Sequence, residues 1–350
     1  MSRAKDDDEA DDDAGLPQPR ETLVLFGHQA AEQVFLAAFR SGRIPHAWLI
    51  GGEAGIGKAT LVYRMARFVL AHPDPRQQVV QSATSLALDP AHPTLRRIAR
   101  NAHTDLLVLE RVPGDTGKMR TVITVDQVRR LVSFFGSTAG EGGWRVCIVD
   151  AADELQYPQG SNALLKMLEE PPPKSLFLLV SHAPGRLLPT IRSRCRRLDL
   201  KPLGEHDVVR ATTAALGAEA DDPTIAKAAA ASGGSVARAI AMAGGPMLVL
   251  REEVVKLLRA LPATDASALH ALGDALDRGD HSLFDVFVGA IRDWLSGRLD
   301  TLANDRAGLA RSAELWDRLN ASARDVATYN LERKPMVFAI FGLLAEASRG

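Results

Sequence analysis

The sequence predicts an α/β domain with a mostly parallel five-stranded sheet and helices on both faces, then a small helical lid and an all-helical C-terminal domain. Three observations predict this fold class. Five short apolar runs alternate with helical patterns, a glycine-rich turn joins the first run to a helix, and strand-like runs stop after Leu200. Strands that alternate with helices build parallel sheets, because each crossover helix returns the chain to the same edge.

The predicted elements follow from the spacing of apolar residues. The predicted strands are 47–50, 106–109, 146–149, 176–180 and 197–200. Helices are predicted at 30–39, directly after the glycine-rich turn, and at 94–102, 125–135, 161–169, 206–216, 222–231, 236–243, 254–261, 267–276, 283–299, 310–319 and 336–345.

Shifts in composition divide the chain. Residues 1–20 hold seven acidic and three basic side chains and few large apolar ones, which predicts a disordered tail. We expect the α/β domain at 21–202, the lid at 203–245 and the C-terminal helical domain at 246–350, with Gly244, Gly245 and Pro246 as a linker.

Composition excludes several classes of protein. The chain is 46% apolar and 24% charged, as in ordinary soluble globular proteins, and it shows neither a signal peptide nor a run of membrane-spanning length. Cys147 and Cys195 are too far apart in sequence to suggest a disulfide framework or a cysteine zinc site. These features predict a cytoplasmic protein without a membrane partner. Beyond residue 20 the net charge is +3, so any DNA contact is expected to be local or shared with other chains.

The glycine-rich turn resembles a phosphate-binding loop. Gly52, four further residues, Gly57 and Lys58 lie between a strand and a helix, where backbone N–H groups and a lysine bind phosphate. Ala59 occupies the position at which Ser or Thr holds Mg²⁺, and Thr60 lies about 100° further around the helix. The candidate nucleotide contacts in this turn are Gly52, Gly55, Gly57, Lys58, Ala59 and Thr60.

A second nucleotide-site candidate ends the third predicted strand. Asp150 is placed where loops of this kind have the acid that steers Mg²⁺, or it simply caps the next turn. Ala151 follows, where hydrolytic proteins commonly have a water-orienting Glu. Ala59 and Ala151 together mean that two of the three residues that handle metal and water in such proteins are altered in this chain. We therefore expect a degenerate site for ATP whose occupancy is open, weak or absent Mg²⁺ binding, and little ATPase activity.

The motifs resemble a known family. The segment 162–172 (Asn-Ala-Leu-Leu-Lys-Met-Leu-Glu-Glu-Pro-Pro), followed by Ser193-Arg194-Cys195, looks like the signature of bacterial clamp-loader subunits of the AAA+ class. With Gly27-His28-Gln29 and the segments 43–47 and 125–129, it most resembles delta-prime subunits of DNA polymerase III. The resemblance covers about residues 24–243 and extends weakly through 330–334.

The resemblance implies a role in a pentameric ring. Its neighbours would be ATP-binding gamma/tau-like and delta-like subunits, and the ring would load the sliding clamp onto primed DNA. Arg194 would act in trans as an arginine finger, since a guanidinium can donate two hydrogen bonds to phosphate oxygens. The alternative is that Arg194 is an ordinary solvated basic residue before an edge strand. The resemblance also makes Arg238 a lid residue that senses nucleotide in cis, the alternative being an ordinary interdomain ion pair. It places Ser181 where the family has a polar sensor residue, although a serine at a strand end is common. The C-terminal helices would form the ring's collar.

One departure from the family concerns zinc. Many relatives carry a four-cysteine zinc module after the phosphate-loop helix, whereas residues 72–105 contain no cysteine. We predict no structural zinc and a remodelled insertion.

Two other functions stay open from the sequence. The chain could be a self-sufficient AAA+ ATPase, such as the loader's motor subunit, with Lys58 and Asp150 catalytic. It could also be a nucleotide-binding regulatory module outside replication.

Overall fold

The chain forms two compact units, Met1–Ile240 and Ala241–Gly350. The computed structural model describes residues 16–114, 117, 119–136, 140, 142–219, 221–279, 281–301, 306–329 and 331–349. The predicted tail therefore lies outside the described residues up to position 15.

A five-stranded parallel sheet organises the first unit. Its strands are β1 (Ala47–Gly51), β2 (Leu106–Glu110), β3 (Arg145–Asp150), β4 (Ser175–Ser181) and β5 (Arg196–Asp199). They lie in the order β2-β3-β4-β1-β5, and every neighbouring pair is parallel. Each predicted strand is confirmed with its ends shifted by at most one residue.

Burial explains why these strands were visible in the sequence. β1 and β4 are buried at every position, and β3 is buried except at Asp150. Strands covered on both faces read as continuous apolar runs. β5, at the sheet edge, is largely exposed.

Helices cover both faces of the sheet, as predicted. The helices of the sheet and lid regions are α1 (Gln29–Arg40), α2 (Lys58–Ala71), α3 (Gln78–Ser82), α4 (Pro93–Ala99), α5 (Val125–Gly136), α6 (Gln159–Glu169), α7 (Pro189–Arg194), α8 (Glu205–Leu216), α9 (Pro223–Ala231) and α10 (Val236–Ala243). Alternate residues of β4 enter two separate cores: Leu178 packs with residues of α1 and α2, and Phe177 with residues of α5, α6 and α7. The short helices α3 and α7 were not predicted.

The insertion after α2 is held by packing and capping contacts. The His72 ring lies edge-on to Phe68, with centroids 5.0 Å apart, and 6.2 Å from the ring of His92. His92 in turn caps α4 by accepting a hydrogen bond from the Thr94 N–H at 3.3 Å. Among the residues that the structure describes, no group of three or more His, Cys, Asp and Glu side chains could hold a metal ion.

A buried arginine fixes the segment that leads into the first unit. Arg67, 2% exposed, donates to the carbonyl of Thr22 at 2.6 Å, to that of Pro19 at 3.3 Å and to that of Arg20. Residues 18–22 form a turn in which the Gln18 carbonyl accepts hydrogen bonds from the N–H groups of Glu21 and Thr22. The end of the predicted disordered tail is thus ordered, because the guanidinium needs these acceptors once it is buried.

Replacing Arg67 with methionine should release this segment. The change removes three charge-assisted bonds from a buried site while keeping most of the side-chain volume, so we expect a loss of about 2–4 kcal/mol in unfolding free energy. Urea unfolding measures the loss, and limited proteolysis should show new cleavage before residue 24. The exposed Arg96→Met is the matched control. Unchanged stability and cleavage in the Arg67 variant would contradict the assignment.

The second unit consists of helices in its described part. They are α11 (Pro246–Ala260), α12 (Ala266–Arg278), α13 (His281–Thr301), α14 (Arg306–Tyr329) and α15 (Arg333–Ala347). α11 packs against α13, and α12 against α15. The predicted linker is shorter than expected because Pro246 is the first residue of α11, a position that proline favours. Within the described residues, no helix is long and apolar enough to cross a membrane.

Arg333, within the 330–334 motif, has a structural role in this unit. Arg333 donates to the carbonyls of Leu276 and Gly279 at the C-terminal end of α12, at 2.6 and 2.8 Å. Its own N–H donates to the Asp277 carboxylate at 2.7 Å. Cationic donors at a helix C-terminus satisfy its last carbonyls, so the motif holds α15 against α12.

Candidate functional site

The glycine-rich loop joins β1 to α2 in a conformation that requires its glycines. Gly52 and Gly55 have φ values of 143° and 76°. A Cβ at Gly52 would lie 2.6 Å from the carbonyl oxygen of Leu200, and one at Gly55 would lie 2.3 Å from the Ser235 hydroxyl. Side chains are excluded at both positions, so the loop has the tight strand-to-helix geometry of a phosphate-binding turn.

Lys58 is folded back onto this loop. The side chain is 3% exposed, and its ammonium donates to the Gly52 carbonyl at 2.7 Å and to the Glu53 carbonyl. Burial lowers the pKa of Lys58 to about 8, and the neighbouring carboxylates of Asp153 and Asp150 oppose this shift. The lysine is therefore placed at the start of α2 as a phosphate ligand would be, while its donors are engaged by the loop's own carbonyls.

The residues after Lys58 form the first turn of α2. Ala59 offers a methyl group where a hydroxyl would reach Mg²⁺, and Thr60 lies one position further around the helix. The structure therefore places no hydroxyl at the Ala59 position.

Asp150 is the last residue of β3, at the carboxyl ends of the strands, where the loop also lies. It is aligned with Glu110, the last residue of β2. Burial raises the pKa of Asp150 to about 6; the carboxylates of Glu110 and Glu154 raise it further and Lys58 opposes them. The ionised form of Asp150 is therefore disfavoured in this environment, and a bound cation would stabilise it.

The neighbouring carboxylates have partners of their own. Asp153 accepts a hydrogen bond from the His182 N–H at 2.9 Å, and Glu154 pairs with Arg111 at 2.8 Å. Ala151, 4% exposed, occupies the position after Asp150. Asp153 and Glu154 thus have protein contacts to hold them, and the position of a water-orienting glutamate is taken by a methyl group.

Ser181 lies at the end of β4 beside Gly51, the last residue of β1. Its side chain is fully buried, and its hydroxyl has no hydrogen-bond partner within the described part of the chain. The structure thus places this sensor candidate next to the loop.

Helix α10, which lies in the predicted lid, begins on the glycine-rich loop. The Ser235 hydroxyl donates to the Ala54 carbonyl at 3.1 Å, and the Ala237 N–H donates to the Gly55 carbonyl at 3.2 Å. These bonds attach the N-terminal end of α10 to the middle of the loop.

Arg238 forms an ion pair on the same loop. Its guanidinium lies 3.5 Å from the Glu53 carboxylate, and both side chains are substantially exposed, at 44% and 62%. Of the two roles considered for Arg238, the structure displays the ion pair. The distance and exposure make it a weak contact that a phosphate could replace.

Arg194 is the last residue of α7 and contacts different partners. Its guanidinium pairs with the Glu169 carboxylate at 2.8 Å and donates to the Thr190 carbonyl at 2.9 Å. The side chain is 35% exposed.

Arg194 and the glycine-rich loop lie at opposite ends of two neighbouring strands. Arg194 precedes β5, whereas the loop follows Gly51 at the carboxyl end of β1. The two strands are parallel, with Arg196 beside Trp48 and Asp199 beside Gly51. The length of β5, roughly 10 Å, therefore separates Arg194 from its own loop.

Sequence reasoning did not find several of these contacts. Glu53, Glu110 and Glu169 became site residues only through tertiary placement. His28 was noted only as part of a motif, yet its Nε2 lies 2.7 Å from the Ile56 carbonyl in the loop. In the structure His28 adopts a left-handed φ of 60° directly before α1, a conformation that the sequence alone does not reveal.

Comparison with known proteins places these features in a family. The family model described as "DNA polymerase III, delta subunit" matches residues 27–204. DNA polymerase III subunit delta' of Pseudomonas aeruginosa is 39% identical over 150 residues, which cover 43% of this chain and 41% of that protein. The Escherichia coli K12 subunit delta' is 33% identical over 175 residues, covering 50% and 48%. The chain thus spans less than half the length of these relatives.

A solved structure shows a looser similarity. The DNA polymerase III gamma subunit-related protein of Thermotoga maritima aligns with a TM-score of 0.41 and 18% identity, over 90% of this chain and all of that one. Similarity at this level supports no inference about function.

Proposed function

Because the chain belongs to the DNA polymerase III delta subunit family, we propose that it is a delta-prime-like subunit of a cytoplasmic clamp loader. In this role it joins ATP-binding gamma/tau-like and delta-like subunits in a ring of five and helps to load the sliding clamp onto primed DNA. The delta' relatives support this assignment over the region that they share with the chain.

The placement of Arg194 carries the proposal. It is a partly exposed arginine at the amino end of β5, whereas its own loop lies at the carboxyl end of the neighbouring β1. A guanidinium there is suited to a neighbour's ATP, where it stabilises the charge that develops on the transferred phosphate. The chain supplies an activating group for hydrolysis on another subunit.

The chain's own loop is proposed to be a retained scaffold. Ala59 and Ala151 remove a metal ligand and a water-orienting group, and the Lys58 ammonium is bonded to two loop carbonyls. Where ATP enters, Gly52, Gly55, Gly57 and Lys58 would hold its phosphates, and Asp150 and Arg238 lie at the same site. Mg²⁺ would be held weakly, so turnover stays low.

A self-sufficient ATPase is the second candidate, since Lys58 and Asp150 lie close enough to interact electrostatically at the carboxyl ends of the strands. The ATPase activity of the purified chain separates the two. We expect background turnover that Lys58→Ala leaves unchanged, together with a stability loss of about 1–3 kcal/mol because two loop carbonyls lose their charged donor. The exposed Lys256→Ala is the control for both measurements. Robust turnover that Lys58→Ala abolishes would establish the second candidate instead.

A further inference from the structure

We propose that Glu169 is a positioning residue that orients Arg194 toward the phosphate of a neighbouring chain. This inference rests on the proposed trans role of Arg194. Its basis is one contact between two helices: the Arg194 guanidinium lies 2.8 Å from the Glu169 carboxylate.

Both residues are the last of their helices, and both helices lead into the amino ends of strands. Glu169 is the last residue of α6, which precedes β4, and Arg194 is the last residue of α7, which precedes β5. The prolines at 171–173 end α6 directly after Glu169 and Glu170. α6 and α7 pack against each other, so the carboxylate has a fixed position relative to the arginine.

Two bonds on different nitrogen atoms set the plane of the guanidinium. One terminal nitrogen of Arg194 pairs with Glu169, and the other donates to the Thr190 carbonyl at 2.9 Å. A guanidinium has five N–H donors, so three remain for a ligand. A fork that is already oriented loses less rotamer freedom when it binds phosphate.

The exposure of the pair argues for orientation over stability. The Arg194 and Glu169 side chains are 35% and 42% exposed. Ion pairs with this exposure add little to folding. The main effect of the contact is to hold a long, partly exposed arginine in one direction.

A double-mutant cycle in the reconstituted clamp loader tests the proposal. The ATP-binding subunits are fused so that only the one facing Arg194 keeps its P-loop lysine, and kcat and KM for ATP are measured. We expect Glu169→Ala to lower kcat roughly 10-fold with little change in KM, since a misplaced group acts on the transition state. Glu169→Gln keeps an acceptor of the same length and should recover most of the rate. Glu170→Gln, one residue away, is the charge-matched control.

The Arg194→Ala background distinguishes orientation from structure. Once Arg194 is absent, Glu169→Ala should cause no further loss, because the two residues act as one unit. An equal loss in both backgrounds would overturn the positioning role, as would a Glu169→Ala complex with wild-type kcat beside an impaired Arg194→Ala complex. If Arg194→Ala itself retains full activity, the trans role fails and this inference fails with it.

Discussion

Replacing Arg194 with alanine should lower ATP hydrolysis at the adjoining subunit's site on the order of 10³-fold, because arginine fingers contribute 10³–10⁵ to the rate of phosphoryl transfer. The effect should appear in kcat, since the guanidinium stabilises charge that develops in the transition state. Arg194→Lys should restore little, because an ammonium cannot form the same fork. The measurement is ATP turnover of the assembled complex in which only that site is intact.

The control for this prediction is Arg196→Ala. Arg196 is exposed on the edge strand two residues away, so its loss removes the same charge from the same region. Its variant should assemble and hydrolyse ATP normally. Full activity of the Arg194→Ala complex, with assembly verified by co-elution, would show that the arginine is merely a surface cation.

Replacing Asp150 with asparagine should stabilise the folded chain at neutral pH. The pKa of the Asp150 carboxyl rises from 3.8 to about 6 because the group is buried, with Glu110 and Glu154 nearby. About two pKa units correspond to roughly 3 kcal/mol of unfavourable charge at most, so we expect a gain of about 1–3 kcal/mol. In a working site the negative charge of Asp150 would attract Mg²⁺. In a scaffold without the metal, the same charge only lowers the stability of the folded chain.

The pH dependence gives this prediction its sign. Between pH 3.8 and about 6 the folded chain holds a proton on Asp150 that the unfolded chain has lost, so stability falls as pH rises through that window. The advantage of Asp150→Asn should therefore be full above pH 6 and nearly absent close to pH 4. Urea unfolding at pH 7.5 and 4.5 measures it, with the exposed Asp126→Asn as control. Destabilisation by Asp150→Asn at pH 7.5 would mean that the carboxylate has a favourable partner.

The strands were predictable because central parallel strands are buried on both faces. β4 reads as an unbroken apolar run between polar ends, and the sequence located it within one residue at each end. α3 and α7 are short and partly polar, so their periodicity is too brief to detect. α14 extends well beyond the predicted 310–319. The prediction was too short because much of the helix is polar, so that only part of it shows an apolar stripe at helical spacing.

The candidate site was predictable only where function is local in sequence. The loop glycines, Lys58 and Asp150 lie where strand ends and a helix start place them. The partners of the charged groups were not predictable: Glu53 is 185 residues from Arg238. Such pairs depend on how helices pack, which single-sequence periodicity does not specify. The roles of Arg194 and Arg238 remain predictions.

The placement of Arg194 and the glycine-rich loop at opposite strand ends also bears on how copies or relatives of this chain would meet. A donor at one end of the strands and an acceptor at the other are suited to a head-to-tail contact, in which the donor of one chain meets the acceptor of the next. Such contacts give an assembly direction. With Arg194 as the proposed donor and a degenerate loop as acceptor, this chain would mark the point in a ring where the succession of hydrolysing sites is interrupted.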